Sequence, residues 1–268
     1  HVAAELPYLA SWVGKPHYYF RKDPPAGLPR ENAEFRPQAV QVWSARDLPV
    51  APALDVEGFA VCTHRSILQD FGDPAALKAT YYPETAALVQ AVTGADHVLV
   101  FDHNLRSGSV ERQQALGVDP PARRAHNDYT LKSGPQRFFD LFGRAPAAGE
   151  RYAMVNAWRP LRGPVKDAPL AVCDARSLES GDFLATDLIY ETRTGEIYSV
   201  AYRAQHRWYY VPDMQVDEVL FLKCFDSAED GRARFTAHTA FDDPTVSPGV
   251  PPRESIEIRT VVRWNVPA

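Results

Sequence analysis

The second half of the chain constrains the fold most, because it consists of short strand-like runs separated by turn residues. Such runs, rich in β-branched and aromatic side chains, are typical of a β-sandwich or barrel. The clearest hairpin signal is Thr192-Arg193-Thr194-Gly195, which joins two of them. The runs cover residues 152–158, 170–173, 183–190, 197–202, 207–211, 219–225, 233–239 and 255–262. This pattern favours a mainly β protein with a double-stranded β-helix (jelly-roll, cupin-like) core.

The first half of the chain carries the helical signals. Apolar residues recur at helical spacing over residues 73–94, with a break at Tyr81-Tyr82-Pro83 and a glycine stop at Gly94. Two helices are therefore predicted there. A compact apolar run at 97–101 predicts a buried strand, and residues 134–143 predict one short helix.

No internal repeat and no break in composition marks a domain boundary. We expect one domain over residues 1–268, in which residues 1–95 form a helical, N-terminal support region. Residues 96–264 are expected to form the jelly-roll core, with helices flanking it.

Composition and charge exclude several classes of protein. Acidic residues outnumber basic ones by 34 to 29, whereas a nucleic-acid binder should be basic. No stretch approaches the roughly 20 apolar residues of a membrane helix, and the N-terminal segment lacks the pattern of a signal peptide. The expected location is cytoplasmic, with a small molecule as partner, no nucleic acid and no membrane; a homodimer is left open.

Sequence motifs of other chemistries are missing. The chain has no G-x-S-x-G elbow, no Walker loop and no G-x-G-x-x-G, which leaves hydrolase, NTPase and dinucleotide-binding functions without support. Cys62, Cys173 and Cys224 are too few and too scattered for a disulfide framework or a cysteine zinc site.

One short motif carries metal chemistry. His126-Asn127-Asp128 puts an imidazole and a carboxylate two residues apart, so an extended segment presents both on one side. About one such match is expected by chance among the 8 histidines, so the motif alone proves nothing. A facial triad of two histidines and one carboxylate needs a second histidine from a distant strand, and His238 is the best candidate.

A polar strand face follows His238 in the sequence. Period-two alternation puts Arg253, Ser255, Glu257 and Arg259 on one face, as expected for a strand lining a ligand-filled interior. An arginine there could hold a dicarboxylate such as 2-oxoglutarate by a two-pronged hydrogen bond, with a serine hydroxyl beside it. The two arginines are about 20 Å apart along a strand, so only one can do so. The Arg-x-Ser pattern favours Arg253, and Arg259 stays open.

Several sequence blocks resemble the CmcJ/NvfI-like family of fungal and bacterial oxidases, which are hydroxylase/desaturase-type enzymes of natural-product pathways. The resemblance covers roughly residues 36–263. The blocks are VFDHNLR (100–106), AHNDYT (125–130), VNAWRPL (155–161), WYYVPDM (208–214), DEVLFLKCFDS (217–227), TAHTAFDDP (236–244) and PPRESIEIR (251–259).

This resemblance implies a non-haem dioxygenase that uses Fe(II), 2-oxoglutarate and O2 on a jelly-roll core. It carries the iron ligands, and with them the catalytic role, onto His126, Asp128 and His238. Both arginines of the last block match the family, so the resemblance does not choose between them.

Other polar and aromatic residues are weaker candidates. Asn156 and Arg159 lie on one strand-like run and could contact the cosubstrate or substrate, although Arg159 could equally be part of a structural ion pair. Tyr129 follows the carboxylate directly and is predicted to lie near the metal. Aromatic residues on strands are usually core, but some could line the substrate cavity: Trp158, Trp208, Tyr209 and Tyr210.

Three functions compete at this point. The first is a dioxygenase that hydroxylates, desaturates or otherwise oxidises a C–H bond of a small natural-product-type substrate, releasing succinate and CO2. The second is a jelly-roll binding protein that keeps a metal site without oxygen chemistry. The third is a metal-dependent hydrolase or isomerase, against which the Arg-x-Ser strand argues.

Overall fold

The computed structural model describes residues 1–20 and 22–265 of the chain. Within these residues the strands are, in chain order, β1 (Val2–Trp12), β2 (His17–Tyr19), β3 (Ala33–Ser44), β4 (Phe59–Thr63), β5 (His97–Ser107), β6 (His126–Asn127), β7 (Arg151–Pro160), β8 (Leu170–Cys173), β9 (Phe183–Ile189), β10 (Thr194–Val200), β11 (Trp208–Tyr210), β12 (Glu218–Asp226), β13 (His238–Ala240) and β14 (Glu254–Trp264). The α-helices are α1 (Pro74–Ala76), α2 (Tyr82–Thr93), α3 (Val110–Leu116) and α4 (Ser133–Phe142).

Two sheets form the core of the protein. The larger sheet has the strand order β1-β3-β11-β8-β13-β6-β10-β9-β2, and the smaller sheet has the order β4-β12-β7-β14-β5. Nearly all neighbouring strands run antiparallel, with parallel pairing of β11 to β3 and of β2 to β9. These sheets form the jelly-roll core with flanking helices that the sequence predicts.

The smaller sheet is buried on both faces. On β7, Met154 belongs to the apolar cluster between the sheets, which also contains Val172 of β8 in the larger sheet. The next residue, Val155, points to the opposite face and packs with Val89 of α2. This alternation follows from the pleat of a strand, and it gives the sheet one face toward the interior and one toward the helix.

The long strands of the second half are predicted well, with β7, β8, β9, β12 and β14 close to their expected bounds. The hairpin at Thr192–Gly195 is confirmed, because β9 pairs with β10 on either side of it. The expected strand at 233–239 is mostly wrong: only His238–Ala240 is strand. Thr236 lies in a connection, where its hydroxyl donates to the carbonyl of Gly58.

The helical description of residues 1–95 needs correction. It holds for residues 74–93, whereas the regular elements that precede them are mainly the strands β1 to β4, which lie at or next to the edges of the two sheets. The predicted break at Tyr81-Tyr82-Pro83 is a change of helix type, because a π-helical turn, Leu77–Tyr81, leads directly into α2. Pro83 lacks the N–H that would continue the helical hydrogen-bond pattern, which fits a change of helix type at this position.

Candidate metal centre

The buried side chain of Asn127 anchors the short strand that carries the His-x-Asp motif. Its amide donates to the backbone carbonyls of Tyr129 and Cys224, and its oxygen accepts from the backbone N–H of Thr236. Because neighbouring residues of a strand point to opposite faces, this anchoring leaves His126 and Asp128 together on the other side.

The second histidine comes from the neighbouring strand. His238 of β13 pairs in register with His126 of β6, and the two ring centroids are 4.3 Å apart. Asp128 Oδ1 lies 3.6 Å from His126 Nε2 and 3.9 Å from His238 Nε2. In the described part of the chain these three residues therefore form a group whose ligand atoms lie within 4.8 Å of one another.

Hydrogen bonds fix which nitrogen of each ring is free. His126 Nδ1 lies 2.7 Å from the carbonyl oxygen of Arg124, and His238 Nδ1 lies 3.0 Å from that of Thr236. A carbonyl only accepts, so each Nδ1 carries a proton and donates it, which leaves the Nε2 of each ring as the nitrogen that faces the carboxylate. Burial, together with the neighbouring His238, lowers the pKa of His126 to about 4, which keeps that ring neutral.

The carboxylate of Asp128 is held by polar groups of the smaller sheet. Its Oδ2 accepts from Asn156 Nδ2 at 2.9 Å and faces Arg259 Nη2 at 3.2 Å. Burial alone would raise the pKa of Asp128, but the facing charge of Arg259 and the hydrogen bond from Asn156 lower it below the ordinary range. Two imidazoles that each offer Nε2 and one ionised carboxylate, with open space beside them, make the donor set of a facial-triad iron site.

A pocket opens from this group along β14. The predicted alternation is confirmed, because Arg253, Ser255, Glu257 and Arg259 all line the pocket, while Ile256 belongs to the apolar cluster on the other face. The remaining lining residues are Asn104, Arg106, Ala122, His126, Asp128, Trp158, Leu170 and His238. One strand thus lines the pocket along its length, as its polar sequence pattern predicts.

Arg253 is buried in this pocket with only 3% of its surface exposed. Among the described residues its Nη1 donates to the carbonyl of Ala168, its Nε has no partner, and its guanidinium lies 5.4 Å from the centre of the Trp158 ring. Burial, and then repulsion from Arg106, lowers the pKa of Arg253 to about 9. A buried cation without a carboxylate partner is the kind of group that an anionic ligand would complete.

Several predicted site residues lie elsewhere. Arg159 is on the opposite face of β7 from Asn156, because an odd separation in a strand reverses the side chain; it donates to the Tyr81 hydroxyl and to the carbonyls of His64 and Val216. Its expected contact with cosubstrate or substrate is therefore corrected to a structural role. The structural ion pair that the sequence left open is not formed among the described residues, because the partners of Arg159 are a hydroxyl, two carbonyls and the His64 ring.

The aromatic predictions are divided. Trp158 lines the pocket, but Trp208 is buried in a separate apolar cluster, where its Nε1 donates to the Tyr8 hydroxyl. Tyr210 packs with that same cluster and borders a different cleft. The structure thus places Trp208 and Tyr210 away from the pocket. Tyr129 is buried between the sheets beside Asp128, and burial raises its pKa.

Two pocket residues and one neighbour could be predicted from the sequence. Asp102, Asn104 and Arg106 stand at every second position, separated by His103 and Leu105, which is the same signal that identifies the polar face of β14. The predicted strand ends at Phe101 because only its apolar run was used, whereas β5 continues to Ser107 and pairs with β14. Asn104 and Arg106 line the pocket, and Asp102 lies at its edge against Arg259.

Comparisons with known proteins bear on this site. A family model described as an oxidoreductase/YMDC permease-like domain matches residues 6–263. The Fe(II)/2-oxoglutarate-dependent dioxygenase nvfI of Aspergillus novofumigatus is 33% identical over 258 residues, covering 92% of this chain and 91% of that protein. The hydroxylase/desaturase efuI of Hormonema carpetanum is 33% identical over 257 residues, covering 87% of this chain and 85% of that protein.

A solved structure also matches over the whole fold. The iron and alpha-ketoglutarate-dependent endoperoxidase NvfI superposes with a TM-score of 0.87 at 28% sequence identity, covering 98% of this chain and 98% of that chain. Among the helices of the described residues, none has the length and apolar character needed to span a membrane.

Proposed function

The chain belongs to this oxidoreductase family and is an Fe(II)- and 2-oxoglutarate-dependent oxygenase, and from that premise we propose that His126, Asp128 and His238 are its iron ligands. The observation that carries the proposal is the convergence of two Nε2 atoms and one carboxylate oxygen within 4.8 Å of one another, with both rings oriented by their Nδ1–H bonds. Iron held by three protein ligands supplies oxygen activation, because its remaining positions are open to a keto acid and O2.

We further propose that Arg253 binds the distal carboxylate of 2-oxoglutarate. It is buried, it lines the same pocket as the three ligands, and no carboxylate forms an ion pair with it among the described residues. Ser255, also buried and next along the same face, is positioned to add a hydroxyl hydrogen bond. The apolar surfaces of Trp158 and Leu170 help to exclude water from that end of the pocket.

The substrate is proposed to be a small natural-product-type molecule that is oxidised at a C–H bond by hydroxylation, desaturation or a related reaction. The relatives support this class, since their names are hydroxylase/desaturase, dioxygenase and endoperoxidase. They also favour an oxygenase over a jelly-roll binding protein without oxygen chemistry. A homodimer and a cytoplasmic location stay predictions from the sequence.

Anaerobic titration of the purified protein with Fe(II), with and without 2-oxoglutarate, tests the proposal. One Fe(II) should bind per chain, and 2-oxoglutarate should add the weak visible absorption of its chelate. Ala replacements of His126, Asp128 and His238 should each abolish binding, because two ligands leave an incomplete site. Undiminished iron binding in all three variants would show that the metal lies elsewhere.

Turnover gives a second, independent measurement. Exposure of the loaded protein to O2 should convert 2-oxoglutarate to succinate slowly even without substrate, because that uncoupled reaction needs only metal and cosubstrate. A protein that binds iron but forms no succinate under any condition would instead be a metal-binding module.

A further inference from the structure

Three adjacent strands of the smaller sheet place polar side chains in one row beside the metal centre. Arg259 of β14 pairs in register with Asn156 of β7 on one side and with Asp102 of β5 on the other. Directly opposed residues on one sheet face have Cβ atoms about 4.5–5.5 Å apart, so their side chains interact. Asp128 comes from the larger sheet and meets this row from across the pocket.

The two oxygens of Asp128 have different surroundings. Oδ1 faces the Nε2 atoms of His126 and His238, at 3.6 and 3.9 Å. Oδ2 is turned away from them and is occupied by Asn156 at 2.9 Å and Arg259 at 3.2 Å. A carboxylate held in this way offers one oxygen to a metal and keeps the other for the protein.

The orientation of the Asn156 amide is itself fixed. Its Nδ2 gives one hydrogen to Asp128 and the other to Glu257 Oε1 at 2.8 Å, while its buried Oδ1 has no partner among the described residues. A flipped amide would turn its oxygen toward two carboxylates, which repel it. Glu257 therefore keeps the donor side of Asn156 toward the metal ligand.

The two Nη atoms of Arg259 are likewise held by side chains of the protein. Its Nη2 faces Asp128, its Nη1 lies 3.3 Å from Asp102 Oδ2, and the side-chain oxygen of Asn104, in the amide orientation that satisfies both residues, accepts from both Nη atoms. A dicarboxylate at this position would meet the negative charges of Asp128 and Asp102, although Arg259 Nε has no partner among the described residues.

On the premise of the proposed iron site, we propose that Arg259 and Asn156 are positioning residues for Asp128. They hold Oδ2 so that Asp128 coordinates through Oδ1 alone, and Arg259 does not bind 2-oxoglutarate. Partners of this kind typically change metal affinity by about 10–100-fold when they are removed.

Anaerobic titration with Co(II), which reports its coordination through its visible ligand-field bands, tests this assignment without turnover. Arg259→Met and Asn156→Leu should each bind Co(II) about 10–100-fold more weakly than the wild type. Their band positions should also shift, because a released Oδ2 can enter the coordination sphere. Arg259→Lys keeps the charge but not the planar fork, so it should recover part of the affinity.

Arg263→Met is the matched control on the same strand, because Arg263 pairs with Glu150 outside the pocket, and its Co(II) affinity and bands should equal those of the wild type. Thermal unfolding of each variant establishes that it is folded; if Arg259→Met is not, Arg259→Lys and Asn156→Leu decide. Folded variants with wild-type Co(II) affinity and bands would overturn the assignment. A wild type that binds no metal at the triad would instead refute the iron site, so the two failures are distinguishable.

Discussion

The two ends of the inner face of β14 carry the same residue type in opposite electrostatic surroundings. At one end Arg259 faces Asp128 and Asp102, and although burial opposes its charge, Asp128 and Glu257 raise its pKa above the ordinary value. At the other end Arg253 is bound by a backbone carbonyl, and burial lowers its pKa. Arg259 is therefore paired with carboxylates, whereas no carboxylate forms an ion pair with Arg253 among the described residues, although the Nε of each arginine has no partner there.

This difference shows that the neighbouring strands, and not the arginines themselves, separate the two roles. Asn156 and Asp102 stand beside Arg259 because of the register of β7 and β5. Beside Ser255, two positions from Arg253, the same strands place Pro160 and Arg106, neither of which carries a negative charge. An anionic ligand is consequently better accommodated at the Arg253 end.

The largest expected effect is that of Arg253→Met on 2-oxoglutarate binding. Removal of one partner of a buried charged pair costs about 2–5 kcal/mol, so the dissociation constant of 2-oxoglutarate should rise at least tenfold. The measurement is titration of the Fe(II)-loaded protein under anaerobic conditions, followed by the visible band of the chelate.

Arg253→Lys, which keeps the charge, serves as the control and should show a smaller loss. The opposite pattern, with a large cosubstrate defect in Arg259→Met and none in Arg253→Met, would reverse the assignment of the two ends while leaving the enzyme class intact.

The polar face of β14 could be predicted from the sequence because strand alternation is a local property. Four polar residues stand at every second position, separated by Glu254, Ile256 and Ile258, and in a strand such residues lie on one face. Which of the two arginines pairs with carboxylates of the protein could not be predicted, since this depends on which residues of β5 and β7 lie opposite them. Register between strands distant in sequence is set by the whole fold.

Arg159 and Trp208 show that a strand pattern also fails to identify which side chains reach the pocket. Both are residue types common in binding sites, and both lie on strands, yet one faces helix α2 and its surroundings and the other a second apolar cluster. A strand pattern tells which residues share a face, but it does not tell which face meets the pocket. That information appears only when both sheets are in place.

A smaller effect is expected from Gly108→Ala, which disturbs the Arg253 end without touching the guanidinium. The backbone N–H of Gly108 donates to the carbonyl of Arg253, and Asp167 Oδ2 accepts from the N–H of Arg253. A Cβ on Gly108 would clash with Asp167 Oδ2 and lie 3.2 Å from Arg253 N, so the Asp167 carboxylate must move and its hydrogen bond with the Arg253 N–H is disturbed. We expect a loss of about 1–3 kcal/mol in the free energy of unfolding, measured with urea.

The same variant should bind 2-oxoglutarate more weakly and Fe(II) normally. Gly195→Ala is a matched control, because a Cβ there would have the end of the flexible Arg193 side chain as its nearest neighbour, at 3.3 Å. If Gly108→Ala weakened Fe(II) binding as well, the two ends of β14 would not be independent.

Ser255→Ala should produce a milder form of the Arg253 defect. Loss of one hydrogen bond to a bound carboxylate corresponds to about 0.5–1.5 kcal/mol, or roughly a two- to tenfold increase in the dissociation constant of 2-oxoglutarate. The anaerobic titration used for Arg253 measures it. An unchanged constant would mean that the hydroxyl of Ser255 does not contact the cosubstrate.

The smallest effect is expected from Asp102→Asn at the Arg259 end. The side chain of Asp102 is 51% exposed and lies 3.3 Å from Arg259 Nη1, so solvent screens the pair and its contribution is about 0–1 kcal/mol. The buried contact of Arg259 with Asp128 remains in this variant, and Co(II) affinity should therefore change less than about threefold, compared with the much larger loss in Arg259→Met. If the two variants lost Co(II) affinity equally, the position of Arg259 would depend on the exposed Asp102 of β5 and not on the metal ligand Asp128.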